Sequence, residues 1–196
     1  MNSGFHLEID TDAEIAKIMR GLNAINLKAP SILKNAINAT ARKVRTQILK
    51  DAKEKYSIKN KSDLKNEAKG GPKLYTATDA TLTAEIKASG AMQDIMAFLT
   101  KPNTATGAAA AKVLNTSAYT PLEVRGLKAF VATFRSGHTA IVQREGSERL
   151  PMKKLLSPAV PIMLGNAEIQ EKAEAMAYDI LQTEITKRID KINDGV

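Results

Sequence analysis

The stretch Phe130-Val131-Ala132-Thr133-Phe134-Arg135-Ser136-Gly137-His138-Thr139-Ala140-Ile141-Val142-Gln143-Arg144 decides the fold class. Phe130, Ala132 and Phe134 alternate with Val131, Thr133 and Arg135, which is the two-residue period of a strand. Ser136-Gly137 predicts a two-residue turn, with Gly supplying the positive φ that such hairpin turns demand. The return strand, His138 to Arg144, places Ala140 and Val142 on one face and Ile141 on the other.

Upstream of the hairpin, the pattern predicts more sheet over 82–145. Leu82, Ala84, Ile86 and Ala88 alternate with polar residues. A less regular strand follows from Met92 to Leu99, and short ones at Val113 to Asn115 and Leu122 to Val124. The small, polar segment Thr100 to Lys112 reads as a flexible loop. Before the sheet, 56–81 reads as a Lys-rich loop containing Gly70-Gly71-Pro72. One helical turn is expected near Ser62 to Ala68, with Ser62 as its cap.

Helices are expected at both ends. Thr11-Asp12-Ala13-Glu14 matches a capping box and predicts a short helix over 12–23. Pro30 suits the first turn of a second helix, which runs to about Lys55 on the stripe Leu33, Ile37, Ala41, Val44, Ile48 and Ala52. Pro151, Pro158 and Pro161 stiffen a connector over 146–161, predicted to be a rigid extended arm. Asn166 then caps a helix over 166–193. Its stripe is Ile169, Ala173, Met176, Ile180, Leu181, Ile185, Ile189 and Ile192, and it would span about 40 Å. A stripe of that length needs a cover, either its own sheet or a neighbouring subunit. Helices at both ends with strands between them predict one α+β domain over 1–196, with helices packed on an antiparallel sheet.

Composition narrows the chemistry. The chain has 196 residues and no Cys, which excludes disulfides, thiolate metal sites and a thiol nucleophile. Met1 to Asp10 lacks the basic and apolar regions of a secretory signal. No apolar run approaches the ~18 residues of a membrane span, so no membrane partner is expected. Aromatic residues are 4% and Trp is absent, which gives little support for base stacking. Of the two His, His6 and His138, the second follows the hairpin turn and reads as a strand-end His hydrogen-bonded to backbone. Gly70-Gly71-Pro72-Lys73 has the wrong spacing for a phosphate-binding loop. Glu145 and Glu148 flank Arg144 and Arg149 and read as surface ion-pair partners. The sequence nominates no catalytic group, metal or cofactor.

Charge is the stronger signal. The net charge is +8, and 42–73 carries eleven basic residues against four acidic ones. The candidate patch for DNA or an acidic partner is Arg42, Lys43, Arg45, Lys50, Lys53, Lys59, Lys61, Lys65 and Lys69. Without interleaved aromatics, any DNA contact would be to phosphate and salt-sensitive. The second candidate surface is the arm, with Arg144, Arg149, Leu150, Pro151, Leu155, Pro158 and Pro161 as subunit-interface residues. A stiff strip loses little entropy when it docks.

Phe130-Val131-Ala132, Gly137-His138, Ile141, Arg144-x-Gly146, Arg149-Leu150-Pro151, Leu155 and the Pro158/Pro161 pair resemble the signature of the minor tail protein Z family of tailed bacteriophages and prophages. The likeness is specific over about Ala129 to Pro161. The layout of an alanine-spaced N-terminal helix, a strand block and a long C-terminal helix is similar too. Ser157-Pro158-Ala159 departs from an expected Gly-Pro-Ser, and Met152 stands where a branched aliphatic is usual. The resemblance implies a virion structural protein that completes a long, non-contractile tail at its head-proximal end. It implies a ring of copies, with six the expected number. Implied partners are tail terminator and tail tube proteins, head-connector proteins and the phage DNA end. The implied location is the virion tail, with the host cytoplasm before assembly. It brings no catalytic residues. A small basic DNA-binding protein is the alternative, resting on the Lys-rich stretch alone.

Overall fold

In the computed structural model, residues 3–9, 29–102 and 108–193 are described. The helix expected over 12–23 lies outside them. Thirteen strands and four α-helices alternate along the described chain. The first strand, β1 (Ser3–Ile9), was not anticipated. Phe5, Leu7 and Ile9 are buried while His6 and Glu8 are exposed, a plain two-residue period in a segment read only for its lack of a signal peptide.

Helix α1 (Ala29–Lys55) matches the expectation. Its buried face runs through Leu33, Ala36, Ile37, Thr40, Ala41, Val44, Ile48 and Ala52, and Lys53 and Lys55 sit in the last turn, where the helix dipole favours cations. A short helix α2 (Lys61–Lys65) and a 3-10 turn at Glu67–Lys69 follow. Their caps are Asn60 and Asn66, whose side-chain oxygens accept from Ser62 N–H and Ala68 N–H. Ser62 therefore lies inside the turn it was expected to cap.

β2 (Lys73–Tyr75) and β3 (Ala84–Gly90) join β1 in an antiparallel sheet of order β1-β3-β2. The expected strand over Met92 to Leu99 is broken. β4 (Gln93–Asp94) leads into a 3-10 turn at Ile95–Ala97, started by the Asp94 side chain accepting from Met96 N–H, and β5 begins only at Leu99. β5 (Leu99–Lys101), β6 (Ala110–Lys112) and β7 (Thr120–Pro121) make a second antiparallel sheet. Ala110–Lys112, expected to be loop, is thus strand, with Ala111 buried. β8 (Glu123–Val124) and β9 (Leu127–Lys128) form a small ribbon.

β10 (Phe130–Thr133) and β11 (Thr139–Arg144) are the expected hairpin, paired Phe130 to Val142 and Val131 to Ile141. The turn is one residue longer than expected. Gly137 N–H donates to Phe134 C=O, Phe134 N–H donates to His138 C=O, and Gly137 has φ 80°. Arg135 and Ser136 are the turn's central residues and Gly137 absorbs the left-handed bulge. Ala140, Ile141, Val142 and Gln143 are all buried, because this strand is covered on both faces.

The proline segment is not a free arm. β12 (Met152–Lys154) adds to β11, and β13 (Leu156–Ser157) pairs with β4. Pro161 is buried in the first turn of α3 (Val160–Leu164), the helical position its fixed φ suits. The backbone groups of this segment are drawn into pairing because buried N–H and C=O must be satisfied.

Helix α4 (Ala167–Asn193) matches the expectation. Asn166 starts it through its backbone C=O, which accepts from Ile169 and Gln170 N–H, while its side-chain oxygen has no partner among the described residues. Among the described residues, the cover of α4 is chiefly α1 of the same chain, their most extensive packing. Buried Ala36 and Ala41 on α1, and Ala173 and Ala177 on α4, belong to the shared core and suit close approach of the two axes. One large cluster joins α1, α3, α4 and the β1-β3-β2 sheet. A smaller one, with Ile95, Ala109, Ala111, Ala129, Val131 and Ile141, fills the second half, and Val113 packs on both.

Glu184 interrupts the apolar face of α4. Its carboxylate is bound by Arg188 and by Lys43 of α1 at 2.6 Å, and the Arg188 guanidinium also donates to Asn35 C=O. The Arg188 hydrogen bond, then that of Lys43, lowers the Glu184 carboxyl from 4.5 to about 2. A depressed acid stabilises the fold fully above its unfolded pKa and loses that contribution as pH falls through the folded one. Glu184→Gln is expected to cost about 2 kcal/mol at neutral pH. In urea titrations the gap to the parent should shrink as pH drops from 4.5 towards 2. A gap that stays constant over that range would remove the ion pairs as its cause.

Candidate anion-binding groove

Helix α1 turns one row of side chains towards α2. Arg42, Arg45, Thr46, Leu49 and Lys50 follow at helical spacing, and Lys61 and Lys65 stand one turn apart on α2. Together they line a concave groove of about 470 Å³, with no carboxylate in its wall among the described residues. Its floor is Leu49, which is buried. α2 is held in place by Leu64, fully buried in the main core. Arg45 is fixed by donating through Nε to Pro72 C=O at 2.8 Å. Thr46 donates to Arg42 C=O within the helix.

The nine-residue basic patch is therefore divided. Arg42, Arg45, Lys50, Lys61 and Lys65 converge on the groove, and none has an ion-pair partner among the described residues. The other four are spent elsewhere. Lys43 binds Glu184. Lys53 donates to Ile58 C=O. Lys59 reaches Thr100 Oγ1 at 3.3 Å. Lys69 pairs with Asp63 at 2.8 Å.

The expected arm residues scatter. Arg144, Arg149, Leu150 and Pro151 are exposed, Leu155 and Pro158 half-buried, and Pro161 buried. Leu155 packs against the smaller core cluster and its backbone ties Ile141 to Ile95. Arg144 lies over the Phe130 ring at 5.7 Å, and no ion pair joins Arg144 or Arg149 to Glu145 or Glu148. Exposed apolar side chains nonetheless remain around this segment and the hairpin tip: Phe134, Leu150, Leu156 and Met92.

His138 stacks on Phe134, with ring centroids 6.3 Å apart. Its Nε2 lies 3.9 Å from Asp94, whose carboxylate binds Lys154 at 2.9 Å. The backbone partner expected for its ring is replaced by this side-chain cluster. A second group escaped sequence reasoning. His6, Glu8 and Glu85 bring ligand atoms within 4.8 Å of one another on the β1–β3 pair. Glu8 and Glu85 are cross-strand partners. Alternation along β1 was the available signal for His6 and Glu8, and the strand register supplied Glu85. Lys87 already binds Glu85 at 2.8 Å and holds its carboxyl below the usual carboxylate range, so a divalent cation there would have to displace an ammonium.

Among the described residues, no helix is long and apolar enough to cross a membrane. No protein-family model, no curated protein and no solved structure matches the chain.

Proposed function

We propose that the chain is a virion structural protein of a tailed bacteriophage, acting in tail completion at the head-proximal end of a long, non-contractile tail. It assembles there as a ring of copies, meets tail terminator or tube proteins on one side and head-connector proteins on the other, and helps position the DNA end. The observation that carries this reading is the shape taken by the stretch that resembles the tail protein family. Within residues 129–161 the hairpin and β12 form one three-stranded sheet and β13 pairs with β4, and Phe134, Leu150 and Leu156 stay exposed on this paired backbone. Ring contacts are heterologous, so each copy must offer two different surfaces. Exposed apolar side chains on paired, rigid backbone are suited to one of them.

Particles assembled without the chain are expected to show complete-looking heads and tails that fail to join or to deliver DNA. Wild-type infectivity without it would end the proposal. The groove favours a second reading, a small DNA-binding protein with no virion role. Under that reading the chain is dispensable for head–tail joining.

A further inference from the structure

We infer that the groove between α1 and α2 binds the phosphodiester backbone of nucleic acid, without regard to base sequence. The inference deepens the contact with the DNA end in the proposed function, yet its test does not depend on a virion. Five cations face one concavity, with no carboxylate in the wall and no ion-pair partner among the described residues. Holding five like charges together costs self-repulsion, which a polyanion relieves. Two of the five are Arg, whose planar guanidinium matches phosphate oxygens bidentately. Arg45 is already oriented by Pro72 C=O, so less side-chain freedom is lost on binding.

The chemistry of the wall selects among anionic partners. An acidic protein surface would gain its affinity from apolar or aromatic anchors in a desolvated centre, where charged groups are depleted. Among the described residues, the apolar lining residue is Leu49, buried at the floor, and no aromatic ring lines the groove. The centre of the site is its charge. That arrangement suits a ligand held by phosphate contacts and counterion release. The two rows extend the fit: Arg42 to Lys50 are separated by eight helical steps, about 12 Å of helix, long enough for successive phosphates of one strand.

The test is a fluorescence-anisotropy titration of the full chain with a labelled duplex of arbitrary sequence, repeated over a range of salt. If all five cations contact phosphate, log K should fall against log salt with a slope of about −4 to −5. The double substitution Arg42→Glu with Lys50→Glu should weaken binding at least about tenfold and flatten the slope by roughly two. Lys187→Glu with Lys191→Glu changes net charge equally on the exposed side of α4 and should leave the site-specific loss unmatched. Polyglutamate serves as the competing acidic polypeptide and should displace the duplex poorly. Salt-independent binding, equal losses in both double variants, or displacement by polyglutamate as effective as by unlabelled duplex would each overturn the inference. Native mass of the groove variant is read in parallel. An unchanged assembly with lost duplex binding separates this site from the ring proposal.

Discussion

Phe98→Ala is expected to cost about 3–5 kcal/mol, among the largest losses any single truncation should produce in this chain. Phe98 is the largest fully buried side chain, 1% exposed. Its importance is positional as well as volumetric. It belongs to the main core cluster, while Ile95, three residues earlier, belongs to the smaller one. Phe98 N–H donates to Ile95 C=O, and Phe98 bridges to Ile58 just after α1. The ring thus pins the 3-10 turn that carries one core into the other. Ile58, its bridge partner, is itself buried and already packed, so it is poorly placed to fill the space. For a chain of this size the loss corresponds to a fall in Tm of roughly 10 °C. Leu99→Ala, at a neighbouring side chain 38% exposed, is the comparison and should cost well under half as much. Similar losses in the two variants would show that Phe98 does not join the halves.

The same segment shows where the fold was legible from the chain. The hairpin at 130–144 announced itself because alternation and a turn glycine are both local signals. Helices α1 and α4 did so because their stripes persist over 27 residues each. Residues 92–101 failed the same test. Asp94 hydrogen-bonds Met96 N–H and breaks the strand, a side-chain choice that a nearly continuous apolar run conceals. Ser3–Ile9 had the strand period in full view and needed only to be read as structure. The cover of α4 could not be read at all. Both helices carry stripes, but their mutual register comes from packing across a long separation in sequence, which also brings Lys43 to Glu184, 141 residues away.

Pairing within the fold also divides the basic patch. A count of lysines over 42–73 treats every cation as available. Lys43, Lys59 and Lys69 find partners through the fold, and Lys53 finds a backbone carbonyl. What remains is set by helical spacing on α1 and by the placement of α2. The first was legible. The second follows from Asn60 and Asn66 capping and from the burial of Leu64. The arm had the reverse problem. Its prolines pointed to stiffness, but stiffness does not say whether a segment stands free or adds to a sheet edge. Pro161, two residues beyond Ala159, was a helix-start signal read as an extended one.

Gly71→Ala should test the groove without touching its charge. A Cβ on Gly71 would lie 2.6 Å from the carbonyl carbon of Lys65 and 2.7 Å from Leu64 C=O. Both neighbours are backbone, so no rotamer change can relieve the clash, and α2 must move. Such overpacking costs about 1–3 kcal/mol, with the upper end expected where only backbone can yield. The displacement falls on the groove directly, because Lys65 and Lys61 ride on α2 and Arg45 is held by Pro72, the next residue after Gly71. Gly71→Ala should therefore lower the denaturant midpoint and weaken duplex binding together, with the net charge unchanged. Gly90→Ala crowds Gly70 Cα at 2.7 Å, behind the 3-10 turn, and should lower stability while weakening binding less. Gly4→Ala has open space around it and should do neither. A Gly71→Ala protein that is destabilised yet binds duplex as the parent does, under conditions where both are folded, would mean that the placement of α2 does not matter. The cations of α1 alone would then carry the site.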